Sequence, residues 1–376
     1  MKKPSNPFVT SGYRSAKYFC DRESATETLL QSIRNGRSTT VTAIRRMGKT
    51  GLIKHVLSKL HKGHIGVYMD ILPAESMPDF LNLLASAVYN AVPQRTGPGK
   101  RLLDFLKTLR PVISYDPLSG QPQVSIDVRK GEAEHHIGHV LQFLESYPDR
   151  VVIAIDEFQQ ILMFPEKNAD AWLRSIIQNL SNVSFIFSGS RQHLMNDLFS
   201  DPSRPFYRST DLLSVGKIDP AVYSGFIRRH FRQGGQSLPA EVARQMLDWT
   251  DLHTYYVQLL CNRVYALGLD EITSDTWKEE AHRLLSEQEM IFYKYRDLLT
   301  SPQWQLLKAI AVDGRVYSPT SKDFISGHSL GSPATVLRSL QALQKKEMIY
   351  SDYDLDGRSY YQVYDVLFRR WMELGH

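Results

Sequence analysis

The stretch TTVTAIRRMGKT (residues 39–50) decides the fold of this chain. Its β-branched, apolar beginning predicts a buried strand, and the sequence after it predicts a helix through Leu60. Its last eight residues follow the phosphate-loop pattern, a glycine, any four residues and Gly-Lys-Ser/Thr, except that Ala43 replaces the first glycine. Ala43 fits that position if its φ angle is negative, because only a left-handed backbone would require glycine.

A loop of this kind binds an anion through its backbone N–H groups and the N-terminus of the following helix. We expect Gly48 to let the backbone approach a phosphate, Lys49 to reach the β- and γ-phosphates, and Thr50 to offer its hydroxyl to Mg²⁺. The alternative for this motif is an ordinary turn with an exposed lysine. Arg45 and Arg46 either add positive charge beside the anion or are simply solvated. The predicted phosphate-binding residues are Arg45, Arg46, Met47, Gly48, Lys49, Thr50 and Gly51.

The acidic half of such a site is predicted where the apolar run 151–155 ends in Asp156 and Glu157. Asp156 would order the Mg²⁺ shell, and Glu157, the catalytic partner of Lys49, would polarise the attacking water as a general base. Strands often end in acidic residues by chance. The occurrence of both halves in one chain, with a second strand between them, favours the nucleotide site.

The next strand, 183–188, ends in Ser188-Gly189-Ser190-Arg191. Because carboxyl ends of parallel strands face the ligand crevice, Ser190 or Ser188 is a candidate sensor of the γ-phosphate. Arg191 and Arg208 are candidate arginine fingers, although an ordinary surface arginine is the simpler interpretation of each.

The bulk composition indicates a globular chain of two or three domains, since it has 376 residues and a quarter or less of them are charged. No apolar run is long enough to span a membrane, and the N-terminus lacks the apolar core of a signal peptide. The distant pair Cys20 and Cys261 fits neither a disulfide framework nor a metal cluster, which favours a cytoplasmic setting. The net charge of +5 leans toward anionic partners, and nucleotide phosphates could account for part of it.

Strands that alternate with helices predict an α/β fold with a parallel-sheet P-loop core. We predict this core at residues 1–210, with an insertion at about 93–136 that carries a β-hairpin. A helical lid domain is predicted at 211–300. Three helices and a hairpin then predict a winged helix at 301–376.

The winged helix would present the helix 333–346 for recognition. We predict that its buried face consists of Val336, Leu337, Leu340 and Leu343. Arg338, Lys345, Lys346 and, on the wing, Arg358 could contact DNA phosphates. Against this, the acidic residues Asp352, Asp354 and Asp356 would be repelled by DNA, so the module could instead bind protein or pack on the core.

Several motifs together resemble the archaeal-type ATPases of the STAND group, which belong to the AAA-like P-loop NTPases. They are FCDRE (19–23), RRMGKT (45–50), IDEFQ (155–159), SGS (188–190), FYR (206–208) and HTYY (253–256). The second and third correspond to the Walker A and Walker B motifs. The resemblance implies a core ATPase, a helical lid and a winged helix, with Asp21 and Arg22 near the adenine and His253 of the lid on the nucleotide. Where the family usually has Gly-His-Pro, this chain has Leu252-His253-Thr254.

Two functions are therefore expected. The first is a switch that binds ATP with Mg²⁺, closes its lid, and hydrolyses ATP slowly to ADP and phosphate, with a protein partner or further copies of the chain receiving the signal. The second is a DNA-binding winged-helix regulator whose P-loop mainly senses nucleotide. A scaffold with an inactive site is less favoured, since Lys49, Thr50, Asp156 and Glu157 are all present.

Overall fold

The computed structural model describes residues 6–92, 97–108, 111–117, 120–128, 131–354 and 356–375. These residues form two compact units. The sheet unit comprises Gly12–Ala43 and Gly48–Gly216. The helical unit comprises the described residues of Met1–Ser11, Ile44–Met47 and Lys217–His376. In the described part of the chain, no helix is long and apolar enough to cross a membrane.

The sheet unit is a parallel sheet covered by helices. Its strands are β1 (Thr39–Thr42), β2 (His64–Asp70), β3 (Pro111–Tyr115), β4 (Pro122–Ile126), β5 (Arg150–Asp156), β6 (Val183–Gly189) and β7 (Asp211–Ser214). Its helices are α1 (Glu23–Arg34), α2 (Lys49–Ser58), α3 (Met77–Ala91), α4 (Gly97–Thr108), α5 (Ala133–Glu145), α6 (Ala169–Ile177) and α7 (Gln192–Ser200). The parallel strands lie in the order β2-β5-β6-β1-β7, and β3 pairs separately with β4.

Burial on both faces explains the composition of the central strands. Every residue of β6 is buried, as is every residue of β5 after Arg150, because helices cover both sides of the sheet. The carboxyl ends of these strands meet at one edge, where the Cα atoms of Asp70 and Asp156 are register partners. The sheet therefore gathers polar side chains from several strands beside the end of β1.

The hairpin β3–β4 is held to the core by side chains of α3. Asn82 accepts a hydrogen bond from the backbone N–H of Ile126 at 2.8 Å, and Ser86 accepts one from Val124 at 2.8 Å. One turn further along, the amide of Asn90 donates to the carbonyl of Pro122 at 3.0 Å. The hairpin was predicted, whereas position 93, the start of the predicted insertion, and positions 118–119 of its loop lie outside the described residues.

The helical unit contains the C-terminal elements. They are α8 (Pro220–Gln233), α9 (Ala240–Trp249), α10 (Thr254–Ala266), α11 (Ser274–Asp297), α12 (Ser301–Asp313), α13 (Lys322–Gly327), α14 (Pro333–Lys345), β8 (Ile349–Tyr353), β9 (Ser359–Val363) and α15 (Val366–Glu373). One apolar cluster joins Tyr256 of α10 and Leu285 and Phe292 of α11 to the core of α12–α15. The predicted division at residue 300 remains a prediction.

Capping side chains set where several of these helices begin. Asp219 accepts hydrogen bonds from two backbone N–H groups at the start of α8, and Asp365 does the same for α15. Ser332 caps α14 ahead of a proline at its first position. These side chains satisfy N–H groups that have no partner inside the helix, so the sequence fixes the helix starts locally.

The structure confirms the predicted fold class, with the helices α12–α14 and the hairpin β8–β9 in the order of a winged helix. The buried face assigned to α14 was wrong at one position. Val336, Leu340 and Leu343 are buried, but Leu337 is 50% exposed. An α-helix turns about 100° per residue, so Val336, Leu340 and Leu343 fall within an arc of about 60°, and Leu337 lies about 60° beyond the edge of that arc. Helices α4, α6, α7 and α15 were not individually predicted.

Candidate functional site

The phosphate loop connects β1 to α2, and its ends belong to the sheet unit. Gly48 has a φ angle of +93°, a left-handed conformation that favours glycine. Ala43 is not among the residues with positive φ, which meets the condition for an alanine at that position. Lys49 is 6% exposed, and its ammonium donates to the carbonyl oxygen of Ala43 at 3.0 Å. The loop geometry therefore places a buried cation at the N-terminus of α2.

The carboxylate of Asp156 lies at the centre of the acidic side and is 2% exposed. Its Oδ2 accepts hydrogen bonds from the Thr50 hydroxyl at 2.6 Å and from the Tyr68 hydroxyl at 3.0 Å. Its Oδ1 accepts from the Ser188 hydroxyl and from the backbone N–H of Glu157. The structure thus brings together the predicted residues Thr50, Asp156 and Ser188.

Glu157 follows with a left-handed backbone, at a φ angle of 55°. Its Oε2 accepts hydrogen bonds from the Gln159 amide at 2.6 Å and from the Ser190 hydroxyl at 2.8 Å. Between the two serines, Gly189 leaves no space for a side chain, since an added Cβ would lie 2.1 Å from Oε1 of Gln159. The hydroxyl groups on either side of Gly189 therefore donate to different carboxylates, Ser188 to Asp156 and Ser190 to Glu157.

Sequence reasoning missed two residues of this edge, Tyr68 and Asp70. Burial, followed by the nearby carboxylates of Asp156 and Asp70, raises the pKa of the Tyr68 phenol. Burial is also the main cause that raises the pKa of Asp70. The alternation of β2 places Tyr68 and Asp70 on one face of the predicted strand, but it does not show that β2 lies beside β5.

The other predicted site residues of the sheet unit lie on its N-terminal segment and its helices. Asp21 and Arg22 precede α1 and have left-handed backbones, with φ angles of 56° and 79°. A Cβ at Gly51 would be 3.5 Å from the Phe19 ring, which stacks on His55 at 4.5 Å between ring centroids. This segment therefore packs on α2, while the assignment of Asp21 and Arg22 to adenine stays a prediction.

The two candidate arginine fingers are both exposed at the surface. Arg208 has a left-handed backbone, with φ of 49°, and its guanidinium lies 5.2 Å from the centre of the Tyr207 ring. Neither Arg191 nor Arg208 is assigned to a phosphate by these contacts, and both assignments stay predictions.

The middle of the phosphate loop, Ile44–Met47, belongs to the helical unit, where the start of α10 contacts it. Nε2 of His253 lies 3.0 Å from the carbonyl oxygen of Arg45, and the Thr254 hydroxyl donates to the carbonyl of Met47 at 3.4 Å. A carbonyl only accepts, so the Nε2 atom carries the proton. His253 therefore holds the loop backbone, and its contact with a nucleotide stays a prediction.

Side chains of the loop are also held within the helical unit. The guanidinium of Arg46 lies 4.5 Å from the centre of the Tyr255 ring, within the range of a cation–π interaction. Arg45 lies 3.6 Å from the carboxylate of Glu347, which follows α14. Arg45 is 57% exposed, so this ion pair contributes little stability by itself.

Burial lowers the pKa of His253 to about 4, so the imidazole is neutral at neutral pH. The two preceding residues, Asp251 and Leu252, both have φ angles of 54°. Asp251 is bound by the ammonium of Lys217 at 2.8 Å and by the amide of Gln362 at 2.8 Å. This network connects the turn before α10 to β9 and holds it in a conformation that leucine rarely adopts.

On the winged helix, Arg338, Lys345 and Lys346 are exposed, as predicted for a surface that meets phosphates. Arg358, however, forms ion pairs with Asp354 at 3.1 Å and Asp356 at 3.0 Å. The wing cation is therefore neutralised locally.

Comparison with known proteins agrees with this geometry. Residues 33–196 match the family model of an AAA domain, and residues 290–374 match that of a "Probable winged helix domain". A Walker-type ATPase of Pyrococcus abyssi is similar in fold, with 17% identity, a TM-score of 0.67, and coverage of 97% of this chain and 99% of that one.

Two Aeropyrum pernix proteins are also similar in fold. The ORC2 protein, solved as ADPNP–ADP complexes, has 11% identity and a TM-score of 0.59, over 98% of this chain and 95% of its own. The ORC1 protein, solved in complex with DNA, has 11% identity and a TM-score of 0.53, over 100% and 98%. Comparison with curated proteins found no significant match. The chain thus combines an AAA-type P-loop domain with a C-terminal winged-helix domain.

Proposed function

We propose that this chain is a Mg²⁺-dependent ATPase that acts as a nucleotide-driven switch. The observation that carries the proposal is the part-buried hydrogen bond from the Thr50 hydroxyl to the Asp156 carboxylate at 2.6 Å. It joins the first turn of the phosphate-loop helix to the end of β5, where a phosphate-bound metal ion would lie. A hydroxyl and a carboxylate are hard oxygen donors, which suit Mg²⁺.

The described residues contain no group of three or more His, Cys, Asp or Glu side chains that could hold a metal ion. This agrees with a magnesium ion that keeps several waters and takes further oxygens from the nucleotide phosphates. Thr50 would be the direct protein ligand, and Asp156 would accept hydrogen bonds from metal-bound water. Lys49 would place its charge on the phosphates.

Glu157 is the proposed general base. Three donors, from the Gln159 amide and from the hydroxyl and N–H of Ser190, fix the direction of its carboxylate. A base whose direction is fixed places the attacking water without reorganisation during the reaction. Ser190 follows Gly189 at the end of β6, so it would link the position of the base to that of the γ-phosphate.

The switch is proposed to work through the outer side of the phosphate loop. Its N–H groups would bind the phosphates, while the carbonyls of Arg45 and Met47 accept hydrogen bonds from His253 and Thr254. A change of loop conformation upon nucleotide binding would therefore alter contacts with α10 and with Glu347 beside the winged helix. A ligand shifts such an equilibrium only by its differential affinity for the two states.

The deciding experiment is ATP binding and steady-state hydrolysis with Mg²⁺ for the wild type, Lys49→Ala and the control Lys59→Ala. Lys59 is exposed at the end of α2, so its loss should leave both measurements unchanged. We expect binding and slow turnover that only Lys49→Ala removes. Absence of binding by the wild type would overturn the proposal, and binding without turnover would reduce it to a nucleotide sensor.

Glu157→Gln separates chemistry from binding. It keeps the shape of the side chain and an oxygen for Ser190, but removes the base. We therefore expect turnover to be lost while ATP is retained longer than by the wild type. Turnover that stays within about twofold of the wild type would remove Glu157 from the mechanism, since general-base catalysis contributes at least about a hundredfold.

A second candidate is a DNA-binding regulator, favoured by the exposed Arg338, Lys345 and Lys346 and by the fold likeness to an ORC1 protein solved with DNA. Its test is duplex DNA binding at increasing salt by the wild type, Arg338→Ala and Glu157→Gln. This function would be supported over the switch if DNA affinity falls steeply with salt, is weaker in Arg338→Ala and is unchanged in Glu157→Gln.

A further inference from the structure

The carboxylate of Asp156 receives one hydrogen bond that the proposed ATPase mechanism leaves unexplained. Ser188 and the N–H of Glu157 serve Oδ1, and Thr50 serves Oδ2 as part of the phosphate-loop site. The fourth donor is the hydroxyl of Tyr68, at 3.0 Å from Oδ2. Tyr68 belongs neither to the phosphate loop nor to the strands that carry the acidic and sensor residues.

The two donors on Oδ2 differ in what else they must do. The proposed mechanism turns an oxygen lone pair of Thr50 toward Mg²⁺, so the direction of its hydroxyl is shared between the ion and Asp156. Among the described residues, Tyr68 is the donor to Oδ2 that has no such second duty. Its hydrogen bond therefore sets the direction of Oδ2 before a metal ion arrives.

Tyr68 is itself held rigidly enough for this task. It lies on β2, where its Cα pairs with that of Ala154, two residues before Asp156 on β5. The ammonium of Lys54, from the phosphate-loop helix α2, lies 4.4 Å from the centre of the Tyr68 ring. Groups on paired strands keep their relative positions better than groups on loops. The Tyr68 hydroxyl is thus positioned by β5, which carries Asp156, and by α2, which begins with Lys49 and Thr50.

We propose that Tyr68 is a positioning residue that orients Asp156 for the magnesium shell. The proposal rests on the proposed function, because it assigns Asp156 to that shell. Hydrogen-bond partners of direct metal ligands are worth about 10–100-fold in metal affinity, and Tyr68 acts one step further out, because Asp156 would act through metal-bound water. Since Ser188 remains on the other oxygen, we expect the lower end of that range.

The test is Tyr68→Phe, which removes the hydroxyl and keeps the ring under Lys54. Binding of a fluorescent ATP derivative to the full chain is titrated at graded Mg²⁺ and again in EDTA. The Mg²⁺ concentration for half-maximal binding should rise about tenfold, while affinity in EDTA should change by less than about twofold. A purely structural role would weaken both equally.

Tyr350→Phe is the matched control. Tyr350 is buried, and its hydroxyl donates to Oε1 of Gln362 at 3.0 Å in the winged helix. The control loses one buried hydroxyl but should leave the Mg²⁺ titration unchanged. If Tyr68→Phe does not give the native circular dichroism spectrum, Lys54→Met replaces it. Loss of the cation over the ring should then raise half-saturating Mg²⁺ by about threefold.

The outcomes distinguish a failure of the proposed function from a failure of the role of Tyr68 alone. A wild type that binds no ATP derivative would overturn the proposed function, and the role of Tyr68 with it. A wild type with Mg²⁺-dependent binding, beside a Tyr68→Phe variant with the same or a lower half-saturating Mg²⁺, would overturn the role of Tyr68 alone.

Discussion

Gly189→Ala tests the packing that holds the candidate catalytic glutamate. Gly189 ends β6 and is buried. A Cβ there would lie 2.1 Å from Oε1 of Gln159 and 2.6 Å from Sδ of Met195, far inside the 3.0 Å that real Cβ atoms keep. Gln159 and Met195 are 2% and 1% exposed, so neither can move into solvent without disturbing its neighbours.

The magnitude follows from two costs. Overpacking of a dense core costs about 1–3 kcal/mol of unfolding free energy. Displacement of Gln159 also breaks its 2.6 Å hydrogen bond to Glu157, and hydrogen bonds to charged groups contribute about 1.5–3 kcal/mol. The two costs overlap because the same movement relieves the first and causes the second. We therefore expect Gly189→Ala to lose about 2–3 kcal/mol of unfolding free energy. We also expect its ATP turnover to fall, because Glu157 loses the Gln159 donor.

Gly138→Ala is the control within the same unit. Gly138 lies inside α5, and a Cβ there would meet Cδ1 of Ile176 at 3.7 Å, an ordinary contact. Alanine is the better helix former, so this variant should gain about 0.5–1 kcal/mol. Urea unfolding measures both variants. A Gly189→Ala protein that unfolds at the same urea concentration as the wild type would refute the idea that Gln159 is wedged against Glu157.

Three further predictions concern the helical unit, and urea unfolding of four variants tests them. Leu340→Ala should cost about 2–5 kcal/mol because it empties a buried site, whereas Leu337→Ala, on the exposed side of α14, should cost under about 0.5 kcal/mol; equal losses would contradict these faces. Burial lowers the pKa of His253 to about 4, below about 6.5 in the unfolded chain, so stability present above pH 6.5 is lost as the pH falls toward 4. That loss is about 3 kcal/mol, and a His253→Gln variant that keeps the same pH dependence would contradict it. Asp365→Ala removes the cap of α15 and the acceptor of two tyrosine hydroxyls, so it should cost about 2–3 kcal/mol, and a loss under about 0.5 kcal/mol would contradict that role.

The phosphate loop and the acidic strand end could be predicted because their chemistry depends on neighbours in sequence. Gly48, Lys49 and Thr50 are adjacent, and Asp156 follows an apolar run whose burial is evident from its composition. Tyr68 could not be found in this way. Its place beside Asp156 depends on β2 being the neighbour of β5, and strand order is a property of the folded sheet.

His253 illustrates a different limit. The family resemblance implied that His253 belongs to a lid and contacts the nucleotide. It did not indicate the hydrogen-bond partner that the structure shows. The ring bonds the carbonyl of Arg45, and the departure of Thr254 from the family pattern adds a hydroxyl that reaches Met47. A backbone carbonyl leaves no trace in a sequence pattern, so a partner of this kind appears only in three dimensions.

The hydrogen bonds between α3 and β4 form a seam that joins two elements with nearly equal repeat lengths. Asn82, Ser86 and Asn90 recur every four residues, and four residues of helix rise about 6.0 Å. Their partners on β4 recur every two residues, which span about 6.8 Å of strand. Each step therefore adds about 0.8 Å of mismatch between donor and acceptor. The two groups of a fourth hydrogen bond would be displaced by about 2.4 Å, beyond hydrogen-bond reach. The seam limits its own length, so a longer hairpin at this site would need a different kind of support.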